Sequence, residues 1–475
     1  MATLAIDQGT TSTRAILVDE DGNTCTLAAF EHRQSYPAAD HVEHDAEELL
    51  RNVSACLSAG AGVARIHAVG IDNQGESCLA WDAATGTPVT PVIVWQDART
   101  SAITEAMRAE GVEPFVLERA GLPLDPYFSA TKLAWIVRNS AEAQRLLHKG
   151  QLRLGTTDAF FLDRLTGRFV SDITTASRSS LMNLAIGDWD PELCRLFGVP
   201  IEALPKIVPT TGSFGDLKVG ETRVPLTASV VDQQASLYGH GCRKPGDAKI
   251  TFGTGAFALK ITGRYEQPRD GETLPTVAWQ KSGEAPVYAL DGGVYCASAA
   301  LNWARSLGLF RDFAEIERFE RPAAIARGLA FVPALAGLAC PHWDRGVRGT
   351  WLGLAMDTGP LDMVQAVLEG VALRTAEVVR AMERSGPLHD PVSIDGGMAA
   401  NRYFCQFLAS VLGRPVLVSS EPELTAVGTA ALAAEAAGQA FTCHRRGRIV
   451  TPEAMDFDAA RAFEKAIAAA RQYGR

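Results

Sequence analysis

Long uncharged apolar runs are missing from this 475-residue sequence. No stretch approaches the roughly 18 apolar residues of a membrane span, since even the alanine-rich segment Thr425–Gly438 contains Glu435. The N-terminal segment Met1–Asp7 has no basic residue ahead of its short apolar run, which argues against a signal peptide. We therefore expect a cytoplasmic protein with no membrane partner.

Cysteine is sparse and has no pattern. The nine cysteines are odd in number and no two have CxxC spacing, which argues against a disulfide framework and against a zinc site, and predicts buried thiols. Positive charge is also in deficit, because the net charge is −10. An acidic surface repels phosphate backbones, so nucleic acid is not an expected partner.

Several well-known catalytic motifs are absent. There is no GxxxxGK[ST] phosphate loop, no GxSxG nucleophile elbow and no HExxH zinc helix. His41 and His44 have the spacing of one helical turn, but no further candidate ligand lies near them in the sequence. We expect both imidazoles to be solvated.

Strand and helix signals alternate along the chain, which favours an α/β fold, and the length favours two or three domains. Leu4–Val18 reads as a strand, a Gly/Thr turn and a second strand, and Lys249–Ile261 repeats that order near the chain midpoint. We interpret this repeated order of elements as a duplicated lobe. The predicted lobes are residues 1–242 and 243–475.

Helix signals are clearest in three places. Asp45 and Glu48 have capping-box spacing, Asn401 opens a helical stretch that Gly413 ends, and the alanine-rich stretch around Gly428 follows later. Small side chains on that last helix predict a close backbone approach to a sheet or a ligand.

The first strand of the sequence ends in a polar turn that is suited to phosphate. Gly9 permits a tight backbone, and consecutive amides and hydroxyls form an anion-binding concavity. Asp7 would repel phosphate unless a cation lies between them, so it implies Mg²⁺. A threonine-rich β-turn is the alternative. The candidate phosphate ligands are Thr10, Thr11, Ser12 and Arg14.

Three further polar turns lie at predicted strand ends. Gly253–Gly255 occupies the mirrored position in the second lobe, and Asp395–Gly397 precedes a helix N-terminus, although such a turn is often a plain hairpin. Asp232 follows the apolar pair Val230 and Val231. A carboxylate there is suited to act as a general base for phosphoryl transfer, or as a helix N-cap, or as both.

Two long segments resemble the FGGY family of carbohydrate kinases. Tyr127–Trp135 resembles one family signature, Gly349–Glu369 resembles the other, and the similarity extends from residue 3 to about residue 438. The resemblance implies an α/β fold of two duplicated actin/hexokinase-like (ribonuclease H-like) lobes. It also implies ATP with Mg²⁺, a polyol or sugar acceptor in the interlobe cleft, and it allows a homodimer or homotetramer.

The resemblance assigns roles to particular residues. Asp232 is the implied catalytic base and Asp7 the metal-associated acid. For Trp95 and Phe257, core packing is the alternative. The implied acceptor ligands are Gly75, Glu76, Trp95, Tyr127, Asp232, Gln233 and Phe257, and the implied ATP ligands are Thr10, Thr11, Ser12, Arg14, Thr254, Gly255, Asn302, Gly397 and Asn401.

One position departs from the members of the family that act on glycerol. Those members carry an Arg-Glu pair where this chain has Gly75 and Glu76. A hydrogen bond to a charged donor is worth roughly 1.5–3 kcal/mol. Its loss should weaken the binding of glycerol about tenfold or more, unless another cationic side chain reaches the site. Because Gly75 also vacates space, we expect an acceptor such as erythritol, a pentitol or a ketopentose.

Two further expectations concern the purine site and other functional classes of protein. Ser298 and Asn302 replace a Gly and a Gln near the purine site of the glycerol-phosphorylating members. A non-catalytic nucleotide-binding regulator of the same fold is a further hypothesis, which the presence of Asp232 disfavours. A structural polymer subunit gains no support from the acceptor residues.

Overall fold

The computed structural model describes residues 2–62, 65–267 and 273–473. The strands of the first half are β1 (Ala2–Gln8), β2 (Ser12–Asp19), β3 (Thr24–Glu31), β4 (Gln34–Ser35), β5 (Glu43–His44), β6 (Ile66–Asn73), β7 (Cys78–Asp82), β8 (Val92–Ile93), β9 (Leu152–Thr156), β10 (Val170–Asp172), β11 (Met182–Asn183), β12 (Asp188–Trp189), β13 (Lys206–Val208), β14 (Asp216–Val219) and β15 (Thr222–Val231). Its helices are α1 (Ala46–Ala59), α2 (Ser101–Ala109), α3 (Glu113–Ala120), α4 (Ser129–Asn139), α5 (Ala141–His148), α6 (Thr157–Thr166), α7 (Ile173–Ala176), α8 (Pro191–Phe197) and α9 (Asp232–Gly239).

The second half has fewer strands and longer helices. Its strands are β16 (Ala248–Phe252), β17 (Ala256–Ile261), β18 (Leu274–Trp279), β19 (Val287–Val294), β20 (Ala330–Val332), β21 (Thr350–Leu352), β22 (Val392–Asp395), β23 (Val416–Ser419) and β24 (Gly447–Val450). Its α-helices are α10 (Ser298–Ser306), α11 (Pro360–Glu383), α12 (Arg402–Leu412), α13 (Leu424–Ala436) and α14 (Ala459–Tyr473). Short 3₁₀ turns cover Ile201–Ala203, Phe313–Ile316, Ile325–Arg327 and Gly397–Ala400.

Two mixed sheets repeat one topology, which confirms the duplication expected from the two strand-turn-strand segments. The first has the order β14-β15-β6-β1-β2-β3 and the second the order β18-β19-β17-β16-β22-β23-β24. In each sheet the opening strand pairs antiparallel with the next strand and parallel with a later one, namely β6 or β22. The turns that leave β1 and β16 therefore hold equivalent places.

Helix α13 comes from the second half of the chain but packs on the first sheet. Its alanines cover the apolar side chains of β1, β2, β6 and β15. It also crosses α9, where a Cβ on Gly428 would lie 1.8 Å from the carbonyl oxygen of Ala235. The two helices therefore touch through their backbones. The approach to a sheet that the small side chains predicted is also present, because a Cβ on Gly70 of β6 would lie 2.8 Å from the Thr429 carbonyl oxygen.

Local signals in the sequence account for several helix ends. The Asp45 carboxylate accepts hydrogen bonds from two amides of α1, Asn401 caps α12, and Gly413 ends α12 in the left-handed conformation at φ 66°. All nine thiols are free, and all but those of Cys25 and Cys443 are buried. Across the described ranges, no helix is long and apolar enough to cross a lipid bilayer.

The expectation that both histidines of the early pair are solvated is wrong for His44. This side chain is buried, its Nδ1 lies 3.3 Å from the Gln74 amide nitrogen, and its ring packs edge-on against His32. Burial and the His32 imidazole lower the pKa of His44 to about 4. No local sequence pattern indicates this burial, because the contact joins distant residues.

Candidate active site

A cavity of about 200 Å³ lies between the two lobes where the equivalent turns meet. Thr10 of the first turn, Gly253–Gly255 of the second turn and Asp232 all line it. The cavity also gathers every residue that the sequence predicted for the acceptor. Those residues are Gly75, Glu76, Trp95, Tyr127, Asp232, Gln233 and Phe257.

Asp232 is the first residue of α9 and directly follows β15. Its Oδ1 accepts a hydrogen bond from the Gln233 amide at 2.6 Å, which fixes the carboxylate at the cavity wall. Burial, with additional repulsion from the Glu76 and Asp7 carboxylates, raises the pKa of Asp232 to about 7. A carboxylate with this pKa can both accept and release a proton near neutral pH.

Glu76 reaches the cavity from a strained loop. Its φ is 59°, in the left-handed region that non-glycine residues rarely adopt, and Ser129 Oγ holds its carbonyl oxygen at 3.0 Å. Arg178 Nε donates to Glu76 Oε1 at 2.7 Å. Burial nevertheless raises the pKa of Glu76, because the opposing effect of the Arg178 guanidinium is smaller.

An aromatic side chain joins the acceptor region to the first turn. Trp95 Nε1 donates to Thr10 Oγ1 at 3.0 Å, and the Trp95 ring packs edge-on against Tyr127 with centroids 5.6 Å apart. Phe257 lies in β17, the strand that leaves the second turn. Aromatic faces from both lobes therefore border the cavity.

The second turn is held by backbone bonds and by one buried lysine. The amides of Ala297 and Ser298, at the start of α10, donate to the carbonyls of Thr254 and Gly253. Lys249 Nζ donates to Gln233 Oε1 at 2.6 Å, so it joins the second lobe to the residue after Asp232.

The first turn carries charge that is already paired. Arg14 forms an ion pair with Asp7 and a second one with Glu423, the latter at 2.7 Å. Thr11 is exposed and Ser12 is half-buried, so both are open to a ligand. Apart from Thr10, the predicted ligands of this turn do not line the cavity.

The acids of the first lobe fit a magnesium ion that is carried in by a nucleotide. Asp7 lies in register with Asp72, whose buried Oδ1 has no hydrogen-bond partner among the described residues. Within the described ranges, no group of three or more His, Cys, Asp or Glu could hold a metal alone. Mg²⁺ usually keeps waters and substrate phosphates beside one or two carboxylates, which agrees with this donor set.

The remaining predicted nucleotide residues lie elsewhere in the second lobe. A Cβ on Gly397 would lie 3.8 Å from Ser298 Oγ, so this turn and α10 are neighbours. Asn302 is exposed one helical turn further along α10. The Asn401 side chain accepts from the Phe404 amide and donates to the Ile316 carbonyl, so it holds the turn in place. None of these residues lines the acceptor cavity.

The expected consequences of Gly75 do not match the structure. A Cβ at position 75 would lie 2.8 Å from Val231 Cγ2, so the neighbouring valine already takes up the space beside Gly75. A guanidinium is also present, because Arg178 reaches the cavity from the segment after α7. Sequence reasoning missed Arg178, since nothing in its local sequence marks it and the contact spans about a hundred residues.

A second cavity, of about 280 Å³, adjoins the first. Aromatic and small apolar side chains form most of its walls, and Trp95, Tyr127, Arg178 and Phe257 line both cavities. Its charged residues are paired, as in the two-pronged bond from Arg345 to Asp125 at 2.8 and 2.9 Å. The hydroxyl groups of a polyol chain extended into this space would face mainly apolar side chains.

Comparisons with known proteins agree with this architecture. Residues 2–239 match the N-terminal domain of the FGGY family of carbohydrate kinases, and residues 248–437 match its C-terminal domain. The glycerol kinase of Rhodospirillum centenum is 42% identical over 445 residues, which cover 92% of this chain and 89% of that protein. The glycerol kinase of Thermus brockianus is 41% identical over 437 residues, 90% and 88% of the two chains.

Solved structures give the same result. The glycerol kinase of Plasmodium falciparum with ADP superimposes with a TM-score of 0.91 at 27% identity, covering 99% of this chain and 98% of that one. The xylulose kinase of Rhodospirillum rubrum, at 24% identity and full coverage of both chains, shares the fold with a TM-score of 0.86. This chain belongs to the FGGY family of carbohydrate kinases and phosphorylates a hydroxyl group of a polyol or sugar at the expense of ATP.

Proposed function

We propose that the acceptor is glycerol or a polyol of similar size and that Asp232 is the general base. The observation that carries this proposal is that Asp232, Glu76, Arg178 and residues of both turns line one cavity. The glycerol kinases among the relatives support the same acceptor. The valine beside Gly75 and the apolar second cavity do not favour a longer polyol.

The proposed reaction is a direct in-line transfer. Asp232 accepts the proton of the acceptor hydroxyl, the hydroxyl oxygen bonds to the γ-phosphorus of ATP, and the bond from that phosphorus to the β-phosphate oxygen breaks to release ADP. Glu76 accepts a hydrogen bond from a second hydroxyl, and Trp95 and Phe257 cover C–H groups. Closure of the lobes excludes water, which would otherwise compete as acceptor.

The nucleotide assignments follow from the two turns. Thr10, Thr11, Ser12 and Arg14 of the first turn and Thr254 and Gly255 of the second are proposed to hold the phosphates. Asn302, Gly397 and Asn401 are proposed to border the nucleoside. Mg²⁺ neutralises phosphate charge when it is bound, and Asp7 is proposed to hold it directly or through water. ATP supply and the free thiols favour the cytoplasm.

A coupled ADP-release assay over glycerol, erythritol, xylitol and xylulose tests the acceptor. We expect glycerol to give the highest kcat/KM, and Asp232→Asn to lower kcat by about 10²–10⁴-fold. Asp456→Asn, at an exposed position, is the matched control and should leave kcat unchanged.

Two results would contradict the proposal. A clear preference for xylitol or xylulose over glycerol would show that the acceptor has been sized wrongly. Hydrolysis of ATP with no dependence on any polyol would remove the kinase assignment of this cavity and favour the nucleotide-binding regulator instead.

A further inference from the structure

Arg178 has a donor nitrogen that the protein itself does not use. Its Nε bonds to Glu76 and its Nη2 ion-pairs with Asp291 Oδ2 at 2.8 Å. The third nitrogen, Nη1, is buried and has no hydrogen-bond partner among the described residues. The side chain is 6% exposed and lines the acceptor cavity. A buried charged donor without a partner is costly, and beside a binding cavity it is suited to a ligand oxygen.

On the basis of the proposed function, we propose that Arg178 Nη1 donates a hydrogen bond to the hydroxyl next to the one that is phosphorylated. Glu76, held against the same guanidinium at 2.7 Å, accepts from the hydroxyl beyond it. The cavity thereby selects acceptors in which the reacting hydroxyl has a vicinal neighbour. Arg178 supplies, from another part of the chain, the positive charge that is missing at position 75.

The geometry of Arg178 also ties this contact to both lobes. Glu76 belongs to the first lobe and Asp291 to β19 of the second, so the guanidinium is held from both sides. Burial alone would lower the pKa of Arg178, but the Asp291 and Glu76 carboxylates raise it, so the side chain stays charged. The free donor is therefore oriented when the lobes are together.

Two simple analogues of glycerol separate direct contact from an indirect role. 1,3-Propanediol lacks the hydroxyl next to the reacting one, and 1,2-propanediol keeps that hydroxyl but lacks the one beyond it. We expect Arg178→Gln to lower kcat/KM by roughly 10- to 100-fold for glycerol and 1,2-propanediol. For 1,3-propanediol we expect a change of less than about threefold, because the contact is already missing.

Other patterns would overturn the inference. An equal loss for all three acceptors would mean that Arg178 only holds the lobes together. A loss that is absent with 1,2-propanediol would mean that Arg178 acts only by orienting Glu76. No loss with glycerol would mean that Nη1 does not contact the acceptor.

Controls keep the outcome interpretable if Arg178→Gln is unstable. Arg178→Lys keeps the charge but loses the planar fork. We expect its losses in kcat/KM to rank in the same order across the three acceptors, but to be smaller. Asp291→Asn removes the contact with the second lobe and leaves Nη1 in place, so the preference for glycerol over 1,3-propanediol should persist. If the wild-type protein releases no ADP with any polyol, the proposed function fails, which is a different result from an unchanged preference in the variant.

Discussion

The two lobes share one strand order but carry different charges at equivalent places. In the first sheet, Asp7 lies opposite Arg14 on the neighbouring antiparallel strand. In the second sheet, the same two places hold Thr251 and Phe257. The charged pair of one lobe is therefore a neutral pair in the other, and both members of the neutral pair border the acceptor cavity.

The parallel strands show the same contrast. β6 and β22 both end near an aspartate, Asp72 in the first lobe and Asp395 in the second. Burial and the nearby Asp7 carboxylate raise the pKa of Asp72 well above its usual range. Burial opposes ionisation of Asp395 too, but His240 and Lys249 outweigh it and lower the pKa of that carboxyl. Equivalent positions on duplicated backbones thus have carboxyl pKa values that are shifted in opposite directions.

The largest effect is expected from disturbing the helix that joins the two lobes. Gly428→Val places side-chain atoms where the Ala235 carbonyl of α9 now lies, so α13 must move off the first sheet. We expect the free energy of unfolding to fall by at least about 3 kcal/mol in denaturant titrations. Ala436→Val, at an exposed site of the same helix, should cost only about 0.5 kcal/mol. Equal effects of the two variants would show that the crossing does not join the lobes.

The carboxylates of Asp232 and Glu76 in the acceptor cavity predict a pH-dependent rate. Asp232 must be ionised to accept a proton, and its pKa is about 7, so kcat/KM for glycerol should rise with pH to a plateau above about pH 8. Two pH units below the midpoint the loss should be about 100-fold. Glu76→Gln removes a repelling carboxylate and should shift the midpoint to lower pH. A profile that is flat from pH 5 to 8 would contradict the assignment of Asp232 as the base.

The two aspartates at the strand ends should respond to neutralisation in opposite directions. Asp395 has a lowered pKa, so its ionised form stabilises the fold above the unfolded pKa, and this stability is lost as pH falls through the folded pKa. We expect Asp395→Asn to lower the free energy of unfolding by roughly 1.5–3 kcal/mol at pH 7 and to have little effect in strong acid.

Asp72 has a raised pKa, so its ionisation opposes folding as pH rises above the unfolded value. Asp72→Asn should therefore stabilise the protein at pH 8, measured with EDTA present, and the gain should vanish below pH 4. Destabilisation by both variants at pH 8 would remove the electrostatic contrast between the lobes.

The smallest effect concerns the bond between Trp95 and the first turn. Thr10→Val leaves the indole N–H without its 3.0 Å acceptor. We expect a loss of about 1 kcal/mol, seen as a rise of about fivefold in the KM for ATP. Thr10→Ser keeps the hydroxyl and should behave as the wild type. If the valine variant has an unchanged KM for both substrates, this bond does not orient the turn.

Features that depend on residues adjacent in the sequence were predictable. The repeated strand-turn-strand segments gave the duplicated lobes, and the cap at Asp45 and the stop at Gly413 gave helix ends, because each depends on local backbone chemistry. The resemblance to the family also named a group of acceptor residues that line one cavity. Whether every member acts as assigned stays a prediction.

Features that depend on contacts between distant residues were not predictable. Arg178 meets Glu76 only because the fold brings the segment after α7 to the loop after β6, and Val231 fills the space beside Gly75 only in the folded protein. The same reason explains the burial of His44. Reasoning from the missing arginine at position 75 therefore pointed to a larger acceptor, which the folded cavity does not favour.

Helix α13 belongs to the second half of the chain but packs on the first sheet, and this also limits how the chain can be divided. A fragment ending near residue 242 would keep all six strands of its sheet, yet it would expose to water the apolar surface that Ala426, Ala430 and Ala433 now cover. The complementary fragment would carry an alanine-rich helix with no sheet to lie on. We therefore expect neither half to fold stably by itself, and we expect the first lobe of a nascent chain to be completed only after α13 has been synthesised.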